Sequence, residues 1–278
     1  MWSLRSESIL LVVAVAFGTV SAENTDPDNN GSRYAYGENI GWLNAQPLGV
    51  GGPGVEVLDF ELTGWMWGEN IGWVSLSCKN TSTCMTTEYG VRNNGSGVLF
   101  GFAWAENVGW INFAPSTAGV LIDPATGDFS GQAWGENVGW ITFASDSLYP
   151  YKVTTSWGCI PPPAPPAEAP DLRMDPTGID TLLYWSSTVG GTGTDVIFGD
   201  LTTLRTTVTP FQSSTLGCLA VKWTVDSLAV PDVPTAGDGY WYLIRPANCG
   251  GDGTYDGWGP SQAEPRDSAI SGSGNDCM

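Results

Sequence analysis

The sequence predicts an all-β protein in which a Trp-rich antiparallel β repeat is followed by a β-sandwich. Three observations predict it. First, one phrase recurs: GENIGW at Gly37–Trp42 and at Gly68–Trp73, AENVGW at Ala105–Trp110 and GENVGW at Gly135–Trp140. Second, the composition favours short strands and tight turns, with 37 glycines and 14 tryptophans among 278 residues. Third, the segments around the phrase alternate between apolar and polar residues and are divided by turn residues.

The motif tryptophans Trp42, Trp73, Trp110 and Trp140 are spaced by 31, 37 and 30 residues. Such periods belong to supersecondary units that share a core with their neighbours. The last unit is the plainest: GVLID, PATG, DFSGQAW, GEN, VGWITFA. Pro124 and Gly127 supply turn chemistry, so each unit reads as a three-strand meander, with YKVTTSW as a closing strand. Both faces of these strands carry apolar groups, which predicts cover on both sides. Trp67, Trp104 and Trp134 stand across the hairpin from Trp73, Trp110 and Trp140, and Tyr36 takes that place opposite Trp42. Burying one indole removes about 150–250 Å² from water. Trp42, Trp67, Trp73, Trp104, Trp110, Trp134 and Trp140 are therefore assigned to the repeat core.

Glu38, Asn39, Glu69, Asn70, Glu106, Asn107, Glu136 and Asn137 are assigned to the turns. The glutamates would face water or accept backbone N–H groups, and the asparagines would take the left-handed conformation a hairpin demands. The functional alternative is a row of carboxylates that binds cations or polar ligands along one edge. Four equivalent carboxylates suit catalysis poorly, because acid and base need two different environments to separate their pKa values.

Residues 1–22 read as a secretory signal: Arg5 opens it, Ile9 to Val20 is apolar, and Val20-Ser21-Ala22 suits cleavage. No later apolar run approaches the roughly 20 residues of a membrane span. The repeat domain then covers 23–159, a proline-rich linker 160–170, and a second β domain 171–278. Proline favours an extended rod, so the linker reads as a semi-rigid spacer. Six cysteines in an exported chain predict disulfides. Cys78 and Cys84 bracket a short loop and read as a pair, whereas Cys159, Cys218, Cys249 and Cys277 leave three pairings open. Net charge is −19 with ten basic residues in all, which repels phosphate backbones and argues against nucleic acid as a partner.

In the second half, LLYWSSTVGGTGTDVIFGD and YWYLIRPANCGG resemble a fibronectin type III domain. Tyr242, Ile244, Asn248 and Gly251 fall on matching positions, while Pro246 departs from the usual small residue. The resemblance implies a seven-strand sandwich with Trp185 and Tyr242 in structural roles, and a spacer or binding module rather than chemistry. The first half resembles the GEN[IV]GW repeats of exported bacterial proteins, which implies location and architecture alone.

Sharper candidates remain. DPDNNG matches the opening of a calcium loop, with Asp26, Asp28 and Asn30 as ligands, although its twelfth position is Gly37. Trp65, Trp223 and Trp258 lie outside the repeated core positions and could stack on sugars. Asn30, Asn80 and Asn94 are glycosylation acceptors if the host is eukaryotic. The chain has no histidine, and its sequence carries no nucleophile elbow, phosphate loop or metal quartet. The expectation is a non-catalytic extracellular structural or adhesive protein, associating with itself or with surface and matrix components. A carbohydrate-binding module is the alternative. No cofactor is expected beyond calcium.

Overall fold

A computed structural model describes residues 23–48, 53–160, 162–167, 171–176, 180–231, 234, 237–257, 262 and 265–278. The expected signal segment and Trp258 lie outside the described residues. Three cores organise the chain, one in the repeat half and two in the C-terminal half.

In the repeat half, each copy of the phrase closes one hairpin. The four hairpins are Tyr34–Gly37 with Gly41–Asn44, Trp65–Gly68 with Gly72–Ser75, Leu99–Ala105 with Gly109–Asn112, and Phe129–Gly135 with Gly139–Thr142. Neighbouring hairpins pair at Leu43–Gly68, Val74–Ala105 and Ile111–Gly135. The last returns to the first at Tyr36–Thr142. The result is a closed, antiparallel, eight-stranded barrel, which leaves no free edge within the ring. Val91–Asn93 and Val120–Ile122 extend the third and fourth units beside their long strands. Lys152 and its neighbours carry the chain back past the first unit through the Arg33–Val153 and Thr25–Thr155 bridges.

An eight-stranded barrel has an interior just wide enough to be filled by side chains. Each hairpin sends in one small or flexible residue and one aliphatic residue: Ala35 and Leu43, Met66 and Val74, Ala103 and Ile111, Ala133 and Ile141. All eight are at most 3% exposed. Ile40, Ile71 and Val138, buried, and the partly buried Val108 close the turn end; Phe113, Phe129 and Phe143 fill the other end, with ring centroids 5.5–5.8 Å apart.

This corrects the assignment of the motif tryptophans to the core. Trp42, Trp67, Trp73, Trp110 and Trp134 are 36–47% exposed, and Trp104 and Trp140 are half-buried, all on the outer wall. Both strand faces carry apolar groups, so period-two alternation alone does not say which one turns inward. Closure of the barrel decides it, because a lumen filled by one alanine or methionine and one aliphatic side chain per hairpin leaves no room for an indole.

The C-terminal half holds two sheets. One pairs Leu172–Pro176, Thr181–Trp185 and Ser227–Val230; the other pairs Thr215–Trp223, Gly193–Asp200, Tyr240–Asn248 and Gly251–Asp252. Leu183 and Trp185 of the first meet Val196, Ala220 and Ile244 of the second in one core, with Tyr242 packed against it. Three short helices, Leu201–Thr206, Pro210–Ser214 and Arg266–Ser273, were not anticipated from the sequence. They cover the outer side of the four-stranded sheet through Ile270, Leu201 and Phe211, against Ile197 and Trp241. The Asp200 side chain caps the first of these helices, and the Thr203 hydrogen bonds hold its carboxyl below the usual range.

The cysteines pair as Cys78–Cys84, Cys159–Cys249 and Cys218–Cys277. The second joins the halves. Beside it, Asp59 accepts hydrogen bonds from Trp157 Nε1, Thr192 Oγ1 and the Cys249 N–H at 2.8–3.1 Å. The described part of the linker does not stand free as a spacer. Asn248 Nδ2 donates to the Ala164 carbonyl at 2.8 Å, and a Cβ at Gly250 would overlap the Pro163 carbonyl oxygen. The rod is laid against the C-terminal half because the neighbouring disulfide and this glycine let the backbones approach.

Candidate functional site

The phrase builds the site in two layers. At each turn the [IV] residue's N–H returns to the carbonyl of the residue before glutamate, at 3.2 Å. The following glycine, Gly41, Gly72, Gly109 or Gly139, takes φ of 75–87°. The left-handed residue is therefore this glycine and not the asparagine, which corrects the turn expectation. The asparagines have another role. Asn39 Nδ2 donates to the Val138 carbonyl, Asn70 to Ile40, Asn107 to Ile71 and Asn137 to Val108, at 2.9–3.2 Å. Each turn thus grips the turn before it, and the four bonds form a ring around one end of the barrel.

This geometry makes a prediction. A Cβ at Gly139 would lie 2.9 Å from Asn39 Nδ2, on a backbone with φ of 75°. Gly139→Ala is expected to cost about 1–2 kcal/mol in conformational strain, measured by thermal or urea unfolding. In an Asn39→Ala background the steric part of that loss should disappear.

Glu38, Glu69, Glu106 and Glu136 are exposed on these turns. None makes a hydrogen bond or ion pair with the described residues. They occupy four separate turns, and of the four only Glu136 lines the groove on the outer wall.

The outer wall is the second layer. Across each hairpin two rings meet edge to face: Tyr36–Trp42, Trp67–Trp73, Trp104–Trp110 and Trp134–Trp140, with centroids 4.6–4.9 Å apart. Such pairs contribute roughly 0.5–1.5 kcal/mol beyond area burial. Tyr151 adds to the first pair at 5.0 Å, Trp65 to the second at 6.1 Å and Tyr89 to the third at 5.4 Å. The barrel is ringed with aromatic surface.

Between the third and fourth hairpins this wall sinks into an open groove of about 890 Å³, lined by Tyr89, Trp104, Trp110, Trp134, Glu136 and Asn137 among others. At its margin Arg92 binds Glu88 at 3.2 Å and lies 3.8 Å from Glu61. A second crevice, of about 540 Å³, lies between the halves and includes Phe100, Trp223 and Met278. Trp223, one of the candidate sugar-facing aromatics, is half-buried there. Its Nε1 donates to the Ser227 carbonyl at 2.9 Å, and the Arg92 guanidinium lies 5.7 Å from its ring centre. Sequence reasoning gave Tyr89, Phe100 and Phe102 no role in this surface. Tyr89 lies just before the third unit, and Phe100 and Phe102 lie on the strand that leads into its phrase.

The three calcium candidates stand in different settings. Asp26 is buried, and its carboxylate accepts the N–H groups of Asn30, Gly31 and Ser32 at 2.9–3.2 Å, with Arg33 at 3.7 Å. Asn30 Oδ1 accepts the Ser32 N–H, and the exposed Asp28 lines a small crevice with Asn30, Asp128 and Lys152. The Asp26 carboxylate is thus committed to the loop's own backbone. No group of three or more acidic or cysteine side chains that could hold a metal ion occurs among the described residues. Asn80 is likewise committed, its side chain bonding the N–H and carbonyl of Gly64 and the Ser75 hydroxyl.

Among the described residues no helix is long and apolar enough to cross a membrane. The barrel strands, at four to seven residues, are also shorter than the roughly 9–11 residues of a bilayer-spanning strand. The fold and the site together define an all-β protein with a disulfide-braced, aromatic-walled barrel. No family model matches the chain, and no curated protein is significantly similar to it.

Proposed function

We propose that the protein is a non-catalytic, exported adhesive protein, most simply bacterial, that holds extracellular or cell-surface material through the aromatic outer wall of its barrel. One observation carries this reading: each of the four hairpins carries a pair of aromatic rings on the outer wall, none of them buried and at least one of each pair exposed. Contiguous apolar surface on this scale marks an interaction face. Repeating it around a rigid barrel multiplies weak contacts, each adding avidity once the first has formed. The repetition of the phrase then has a use beyond building the wall. The three disulfides suit an oxidising compartment. The division of the C-terminal half into three and four strands around Trp185 supports a fibronectin III-like spacer.

The test compares the wild type with the combined variant Trp42→Ala/Trp73→Ala/Trp134→Ala. The wild type should self-associate in sedimentation, or pellet with insoluble cell-envelope or matrix material. The variant should lose at least about tenfold of that affinity while keeping its circular dichroism. A wild type that stays monomeric and adsorbs to nothing would end the adhesive reading.

A further inference from the structure

We propose that the barrel groove and the crevice between the halves form one continuous track for a linear polysaccharide of neutral or amine-bearing sugars. This rests on the adhesive reading and names its target. The two depressions share Glu88 and Arg92 in their walls, so they meet at that pair. Aromatic rings stand on either side of the junction: Trp104, Trp110 and Trp134 in the groove, Phe100 and Trp223 in the crevice. Ring faces take the C–H faces of sugars, and the groups between them have hydrogen-bonding capacity left for hydroxyls. The Glu136 carboxylate is unpaired within the described residues. Asn137 donates its amide to Val108 and keeps its oxygen. Asn112 and Asn94 use their oxygens on neighbouring N–H groups and keep their amides.

Charge and strand pairing narrow the class. Arg92 is engaged by Glu88, Glu61 and Thr224 and Lys222 by Asp195 and Asp252, so both cations among the described residues lining the track are already paired. With a net charge of −19, an anionic polymer meets repulsion. A peptide bound by strand addition would need an open strand edge in the groove floor. Strand Gly109–Asn112, in the floor of the groove, is already paired with Leu99–Ala105 and Phe129–Gly135. The groove alone, at about 890 Å³, reaches the upper end of ordinary ligand sites. It has room for several sugar rings, so affinity should grow with chain length.

The test is calorimetric titration of the full chain with cellohexaose, chitohexaose, fully deacetylated chitosan hexamer, the matching disaccharides, an oligogalacturonate and a lysine-rich peptide. At least one neutral or amine-bearing hexasaccharide should bind about tenfold or more tightly than its disaccharide, and the oligogalacturonate should not bind. Trp110→Ala and Trp223→Ala should each weaken binding by about tenfold or more. Trp110→Phe and Trp223→Phe should restore most of it, which separates a lost ring from a lost fold. Tyr149→Ala, an exposed ring elsewhere, should stay within about twofold of the wild type. A blank sugar panel, binding of the peptide alone, or a Trp223→Ala variant with wild-type affinity would overturn the track. If the sugar panel is blank but the triple wall variant still loses adsorption, the glycan inference fails and the adhesive reading stands. Hexasaccharide binding without self-association or adsorption gives the reverse outcome.

Discussion

Asp195→Ala should destabilise the C-terminal half by about 3–5 kcal/mol, the loss typical of breaking a buried ion pair from one side. Asp195 is fully buried in strand Gly193–Asp200. One of its oxygens accepts the Lys222 backbone N–H at 2.8 Å; the other takes Lys222 Nζ at 2.7 Å and Arg245 Nη2 at 2.8 Å. Lys222 has φ of 48°, an unfavourable conformation for a side chain of its kind, and the bond to its N–H helps hold it there. Arg245, itself buried, also bonds the Cys277 carbonyl at 3.1 Å and lies 4.5 Å from the centre of the Tyr255 ring. Burial pushes the Tyr255 hydroxyl well above the ordinary tyrosine range, so the ring remains a neutral partner. Alanine at 195 leaves two cations and one strained backbone N–H without their shared acceptor. Asp252 and Asp276, at 3.3 and 3.5 Å from Arg245, recover part of the loss at the more exposed side. Urea unfolding under oxidising conditions measures the effect. A loss below about 1 kcal/mol would mean that solvent already screens the cluster.

The second large effect contrasts two adjacent residues. Leu43→Ala should cost about 2–5 kcal/mol, because it opens a cavity in a closed lumen that cannot collapse easily. Trp42→Ala removes a larger side chain yet should cost less, roughly 1–3 kcal/mol, because about half of the ring already faces water and only the remaining area and its edge-to-face contacts with Tyr36 and Tyr151 are lost. Leu43 is 1% exposed and Trp42 is 47% exposed. Unfolding of both variants under one set of conditions gives the ratio. If Trp42→Ala proves the costlier change, the indoles are the core and the barrel is inside out.

Much of the local structure is legible in the chain. The turn residues of GEN[IV]G, the alternation in VGWITFA and the close spacing of Cys78 and Cys84 each act within one hairpin or loop. Which face of VGWITFA is buried is not legible, because Trp140 and Ile141 are both apolar and alternation assigns no inside. The asparagine ring was hidden for a related reason. Asn39 bonds a carbonyl 99 residues away, and nothing in the phrase distinguishes a turn former from a donor to the preceding turn. The same holds for Asp195, whose partners Lys222 and Arg245 come from two other strands.

By itself, then, the sequence determined short strands, their turns, the fourfold repeat and one disulfide, since these depend on torsional preference and on contacts a few residues apart. The tertiary structure alone decided that the strands close into a barrel, that the indoles face water, that Cys159 meets Cys249 and that Asp195 holds two cations. Those outcomes depend on which distant segments are neighbours and on how much volume a closed ring of eight strands leaves inside.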